Sequence, residues 1–152
     1  MNKPIITLSN VYKSFEDKHV LQGLDLTIYA GETFVILGPS GCGKSVSLKI
    51  ITGLLKPDAG NIFVKDKCIN SMNERELNNI RMDFGMLFQN AALFDSLTVG
   101  ENVSFGLKEH GNYSKNEIAE IVEEKLSMVG LPGISAKMPS ELSGGMRKRV
   151  GL

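Results

Sequence analysis

Gly38-Pro39-Ser40-Gly41-Cys42-Gly43-Lys44-Ser45 satisfies the pattern G-x-x-x-x-G-K-[ST] in full. Residues of these types at this spacing hold a nucleoside triphosphate with magnesium. Glycines let the backbone curl until successive N–H groups converge on phosphate oxygens. Lys44 adds a mobile charge for the β- and γ-phosphates, and the Ser45 hydroxyl is a hard oxygen ligand for Mg²⁺. Cys42 occupies a variable place in the string and reads as a tolerated small residue. With Cys68 it forms neither a metal-binding nor a disulfide pattern.

Such a loop works only between a strand and a helix, because the helix N-terminus supplies the favourable dipole. Phe34-Val35-Ile36-Leu37 is an apolar run suited to a buried parallel strand. Val46, Leu48, Ile50, Ile51, Leu54 and Leu55 cover a wide helical face after the loop, and Pro57 ends that helix. Further strands are expected at Ile5–Leu8, Val20–Ile28, Ile62–Val64 and Phe84–Phe88. Capping boxes at Ser71…Glu74, Thr98…Glu101 and Ser114…Glu117 predict three helix starts. The last of these carries Ile118, Ile121, Val122, Leu126 and Val129 at helical spacing, and Gly130-Leu131-Pro132-Gly133 stops it. Strands thus dominate the first half and helices the second.

About 100 residues beyond the loop stands Leu142-Ser143-Gly144-Gly145-Met146, followed by Arg147-Lys148-Arg149. Ser-Gly-Gly alone is only a helix cap and a turn. Paired with an upstream phosphate loop, it makes the chain resemble the nucleotide-binding subunit of ABC transporters over essentially its whole length. The resemblance implies an α/β fold: a P-loop NTPase, RecA-like core with an antiparallel β part over residues 1–90, then a helical subdomain over 91–152. It also implies ATP and Mg²⁺ as cofactors and a head-to-tail dimer with a second copy. In that dimer Ser143, Gly144 and Gly145 of one subunit face the ATP held by the other's loop. Phe15 falls where the family keeps an aromatic that stacks on adenine, with Tyr12 as the nearby rival. Gln89 matches the family's glutamine that touches Mg²⁺ and the attacking water. Lys44 and Gln89 are the catalytic pair on this reading.

Val46 stands where many relatives have threonine, and Met146 where most have glutamine. Met146 and the strings around Gln89, Thr98–Val103 and Met138–Leu142 are similar to one subgroup, the ATPases of Mla-type (MCE-associated) phospholipid transporters. That similarity implies an integral membrane permease and an MCE-domain lipid-binding protein as partners. It places the chain in the cytoplasm, peripheral on the cytoplasmic face of the inner membrane. Ala91, Ala92, Leu93 and Phe94 would dock a cytoplasmic helix of the permease, unless they are simply core of the helical subdomain.

The bulk composition agrees with one ordinary soluble domain or part of a larger one: 152 residues, 42% hydrophobic and 22% charged. Lys plus Arg and Asp plus Glu both number 17, so no basic footprint for nucleic acid is present. That balance weighs against the family's DNA-repair and translation members. The stretch after Met1-Asn2-Lys3-Pro4 is too short for a secretory signal. His19 and His110 both precede the signature and read as exposed or locally bonded. An ATPase of this family also needs an apolar strand ending in Asp-Glu and a later histidine, and neither follows Ser143 here. The chain is therefore expected to be the N-terminal part of a longer subunit. As it stands, it could be an ATP-binding module without turnover. An importer of amino acids or other small solutes is the other reading open within the family.

Overall fold

The computed structural model describes residues 3–89 and 91–152. Met1 and Asn2, on which part of the N-terminal reading rested, lie outside them, as does the side chain of His110. The chain divides into two compact units, Met1–Gly85 and Met86–Leu152.

The first unit is built on an antiparallel sheet of order β2-β1-β3-β4. Its strands are β1 (Pro4–Phe15), β2 (Lys18–Tyr29), β3 (Ala59–Val64) and the short β4 (Lys67–Cys68). β1 and β2 form a hairpin whose ladder shifts register at several points, between Leu8 and Val11 among others. Asn10 at that shift adopts φ 51, as a bulge residue can. Two helices complete the unit, α1 (Lys44–Ile51) and α2 (Glu74–Arg81). Leu8, Val11, Leu21, Ile62 and Val64 from the sheet meet Ile50 and Ile51 of α1 and Leu77 and Ile80 of α2 in one buried cluster. Alternate strand residues point to one face. That is why Leu8, Ile62 and Val64 share the core while Ser9 and Asn61 stay outside.

Four expectations are corrected here. Phe34–Leu37 forms no ladder: Phe34, Val35 and Leu37 are exposed, Leu37 by 87%. Phe84–Phe88 is likewise not a strand. A strand is stabilised by hydrogen bonds to a neighbour, and the sheet among the described residues pairs only β1 to β4. The α1 face is also narrower than expected, since Leu48 and Leu54 are about half exposed while Ser47 is buried. Finally, the box at Ser71…Glu74 does not form. Asn73 caps α2 instead: its side chain accepts from the Glu76 N–H, and Glu76 accepts from the Asn73 N–H. Asparagine is at least as good a cap as serine, and here it has its own glutamate three residues on.

The second unit is helical: α3 (Val99–His110), α4 (Lys115–Met128), a 3₁₀ turn at Pro139–Glu141 and α5 (Gly144–Val150). The boxes at Thr98…Glu101 and Ser114…Glu117 both form as expected, each hydroxyl accepting from the glutamate N–H and each glutamate accepting in return. Two further N–H groups of the first α3 turn, from Val99 and Gly100, donate to the carbonyls of Lys137 and Ser135. The start of α3 therefore has few orphan donors. Val99, Val122, Leu126, Leu131 and Leu142 form the core, with Met146 and Val150 of α5 packed against it. None of the described helices is long and apolar enough to cross a membrane.

Candidate nucleotide-binding site

The loop from Gly38 to Gly43 leads directly into α1, with Gly43 as its N-cap at φ 100 and no side chain capping the helix. Gly41 has φ 80. These left-handed values are open to glycine at little cost and strained for other residues. At Gly43 space matters too, because a Cβ there would sit 2.9 Å from Leu21 Cδ2 and 3.3 Å from the Val20 carbonyl oxygen. Gly43 thus lets the loop lie against β2. The uncapped first turn of α1 contains no acidic residue, so its N–H groups face no competing carboxylate.

Lys44 Nζ donates to the Gly38 and Pro39 carbonyls at 2.7 Å each. An ammonium has three donors. The Cys42 sulfur, a weak acceptor, lies 3.8 Å away, and a phosphate oxygen would displace it readily. The lysine is therefore held over the loop yet keeps capacity for a phosphate. Ser45 is exposed, with its hydroxyl free of any bond among the described residues. The donors present fit a triphosphate tail. They fit Mg²⁺ only as a partner to that tail: Ser45 supplies one hard oxygen, and no group of three metal-ligating side chains occurs among the described residues.

The hairpin tip completes this side. Phe15 is 45% exposed, and Lys13 Nζ lies 5.5 Å from its ring centroid. Lys13 is itself tied to Asp58 at 2.7 Å, while Asp58 also accepts from the Ser14 N–H at 2.6 Å. The Lys13 ammonium and then the Ser14 N–H hold the Asp58 carboxyl below its usual range. These bonds fasten the segment just before β3, at Asp58, to β1. Tyr12, the rival for the base, lies over Gly23 instead: a Cβ there would be 3.0 Å from the phenolic oxygen. His19 is exposed, and its Nδ1 is 2.9 Å from the Ser14 hydroxyl, in keeping with a locally bonded histidine.

Lys18 is the residue that the sequence alone passed over. It pairs with Phe15 across the hairpin. Its Nζ is 3.7 Å from where a Gly41 Cβ would stand. Only tertiary structure carries that signal, because the two residues lie on opposite sides of the Phe34–Leu37 segment in sequence.

Gln89 and the signature belong to the second unit. Gln89 is exposed at the end of an irregular segment. Ser143 caps α5 by accepting from the Met146 N–H at 3.2 Å, and Ser143, Gly144 and Gly145 are all exposed. The Met146 side chain packs into the helical core. Both arginines of the basic stretch are spent on backbone: Arg147 donates to the Leu142 carbonyl, and Arg149 to those of Val129 and Gly130 after α4. Asn102 was also missed. It accepts from the Phe94 N–H at 2.7 Å and donates to the carbonyls of Phe94, Leu97 and Thr98. One side chain thereby fixes the turn that follows Gln89.

The sequence profile that matches residues 21–152 is that of the ABC transporter family. The chain belongs to that family. It is 48% identical over 147 residues to the probable ribonucleotide transport ATP-binding protein mkl of Mycobacterium tuberculosis, covering 97% of this chain and 41% of that protein. It is 41% identical over 152 residues to the intermembrane phospholipid transport system ATP-binding protein MlaF of Haemophilus influenzae, covering all of this chain and 58% of that one. Among solved structures, the dimeric ATP-binding cassette MJ0796 bound to ADP and Pi superposes with TM-score 0.87 at 35% identity, over 96% of this chain and 66% of that one. The chain thus spans roughly two-fifths to two-thirds of the relatives it matches.

Proposed function

We propose that this chain is the ATP-binding part of an ABC transporter's motor subunit, one that hydrolyses ATP to drive phospholipid transport across the cell envelope. The observation that carries the nucleotide reading is the cradle itself. Gly41 and Gly43 hold left-handed conformations, the first turn of α1 is uncapped, and Lys44 is poised over the loop. The phospholipid reading is supported by the likeness to MlaF and by Met146 in the signature.

On this reading Phe15 stacks on adenine, and the amides of residues 38–45 enclose the phosphates with Lys44. Ser45 and Gln89 would hold Mg²⁺, which would supply charge neutralisation for the phosphates. Catalysis is positioning and charge stabilisation. Ser143, Gly144 and Gly145 engage the nucleotide of a second copy, head to tail. ATP binding then closes the dimer and its hydrolysis releases it. The nucleotide core and β part span residues 1–90, and the helical subdomain spans 91–152. The subunit lies on the cytoplasmic face of the inner membrane beneath an integral permease, with an MCE-domain lipid-binding protein as a further partner. An apolar groove of about 710 Å³ in the second unit, lined in part by Leu93, Phe94, Phe105 and Val150, supports permease docking.

The test is equilibrium binding of labelled ATP. Lys44→Ala should weaken it by about tenfold or more, the scale of a lost charge-assisted bond. Unchanged affinity would end the nucleotide reading. The likeness to the Fe(3+) ions import ATP-binding protein FbpC of Brucella suis, 42% identical over 147 residues, favours a second reading for cargo, an importer of small solutes. The sequence contains no Asp-Glu pair, which favours ATP binding without turnover for these 152 residues taken alone.

A further inference from the structure

We propose that Lys18 is a second phosphate-binding ammonium, supplied by the same hairpin end that presents Phe15 to the base. The inference rests on the nucleotide reading of the loop. Residues directly opposite in an antiparallel ladder send their side chains to the same face, and Phe15 and Lys18 are such a pair. The ring stays at the hairpin while the longer lysine extends to the loop, its Nζ 3.7 Å from the position a Gly41 Cβ would take.

The charges around it explain what it is for. Three lysines surround this region. Lys13 is neutralised by Asp58, and Lys44 is bonded to two loop carbonyls. Among the described residues Lys18 has no carboxylate within 4.0 Å, although Glu16 and Asp17 stand beside it in the chain. Gly41 itself brings no side chain, and the first turn of α1 brings no acid. Two ammonium groups and a set of unpaired N–H donors therefore border one loop, an arrangement that an anion with several oxygens satisfies and a neutral ligand does not. The hairpin would then read both ends of the nucleotide at once, Phe15 by stacking and Lys18 by charge.

The experiment is calorimetric titration of the full chain with ATP, ADP and adenosine at low and high salt. The variants are Lys18→Ala, Lys18→Arg and, as a control lysine elsewhere on the sheet, Lys67→Ala. Lys18→Ala should weaken ATP about tenfold, leave adenosine unchanged and flatten the salt dependence of ATP affinity. Lys18→Arg should recover most of the loss, Lys67→Ala should match the parent, and all melting temperatures should agree. Equal ATP affinity in Lys18→Ala would overturn the proposal while leaving the loop's role intact. So would an equal loss for adenosine, because that would make Lys18 a packing residue. If the parent chain binds ATP no better than adenosine, the nucleotide reading and this inference fall together, a result distinct from either of the others.

Discussion

Phe15 and Tyr12 are two exposed aromatics of one strand, and the resemblance to the family favours Phe15 over Tyr12 for the base. Tyr12, 40% exposed, lies against Gly23 and fills space that a glycine leaves open, and Phe15, 45% exposed, stands at the hairpin end opposite Lys18. Stacking on a base contributes about 1–3 kcal/mol. Phe15→Ala should therefore weaken ATP and adenosine alike by about tenfold, and Phe15→Trp should retain both. Tyr12→Ala should lower the melting temperature with nucleotide affinity intact. Titrations of these variants beside thermal melts check the assignment, and the reverse pattern would move the base to Tyr12. Neither Lys18 nor Asn102 bears any mark in sequence, because each acts through contacts made by the fold. The glycines and Lys44 do bear one, since their task is set by local backbone geometry.

The helices of the second unit owe their starts to local chemistry. Thr98 and Ser114 each close a reciprocal box with a glutamate three residues on. The Thr98 N–H and then its hydroxyl hold Glu101 below its ordinary 4.5, and the Ser114 hydroxyl and then its N–H do the same for Glu117. A carboxyl whose folded pKa is depressed favours the fold while ionised. Its contribution is complete above the ordinary value of 4.5 and is lost as pH falls through the lower folded value. Melts of the parent should be insensitive to these boxes between about pH 5 and 7 and should fall below about pH 4.5. Glu101→Gln with Glu117→Gln keeps an acceptor that does not titrate, so that double variant should show a shallower acid decline. An unchanged decline would assign the acid sensitivity to other depressed carboxyls, Asp58 and also Glu123, which the Ser135 side chain and then the Gly133 N–H hold below its ordinary value. The failed box at Ser71…Glu74 marks the limit of such reasoning. Two overlapping cap signals were present, and Asn73 with Glu76 closed the one that packs Leu77 and Ile80 against the sheet.

For the whole molecule, the loop, Lys44, Phe15 and Lys18 all lie in the first unit, while Gln89 and the signature lie in the second. ATP bound by a single copy should therefore protect the first unit selectively. At 100 times its dissociation constant ATP should stabilise by about 2.7 kcal/mol. Hydrogen exchange should slow at residues 12–21 and 38–51 and remain unchanged along α4. Protection centred on α4 would contradict the proposed site. The sequence by itself determined the family and most helix starts and pointed to a nucleoside triphosphate as ligand, because phosphate cradles and caps are built from residues a few positions apart. It also placed segments of β1, β2 and β3, of which β2 has Leu24, Leu26 and Ile28 alternating at the period of the pleat. Only the tertiary structure decided that Phe34–Leu37 and Phe84–Phe88 form no ladder and that Lys18 stands at the loop. A strand requires a neighbour's hydrogen bonds, and the approach of two side chains distant in sequence depends on how the sheet folds them together.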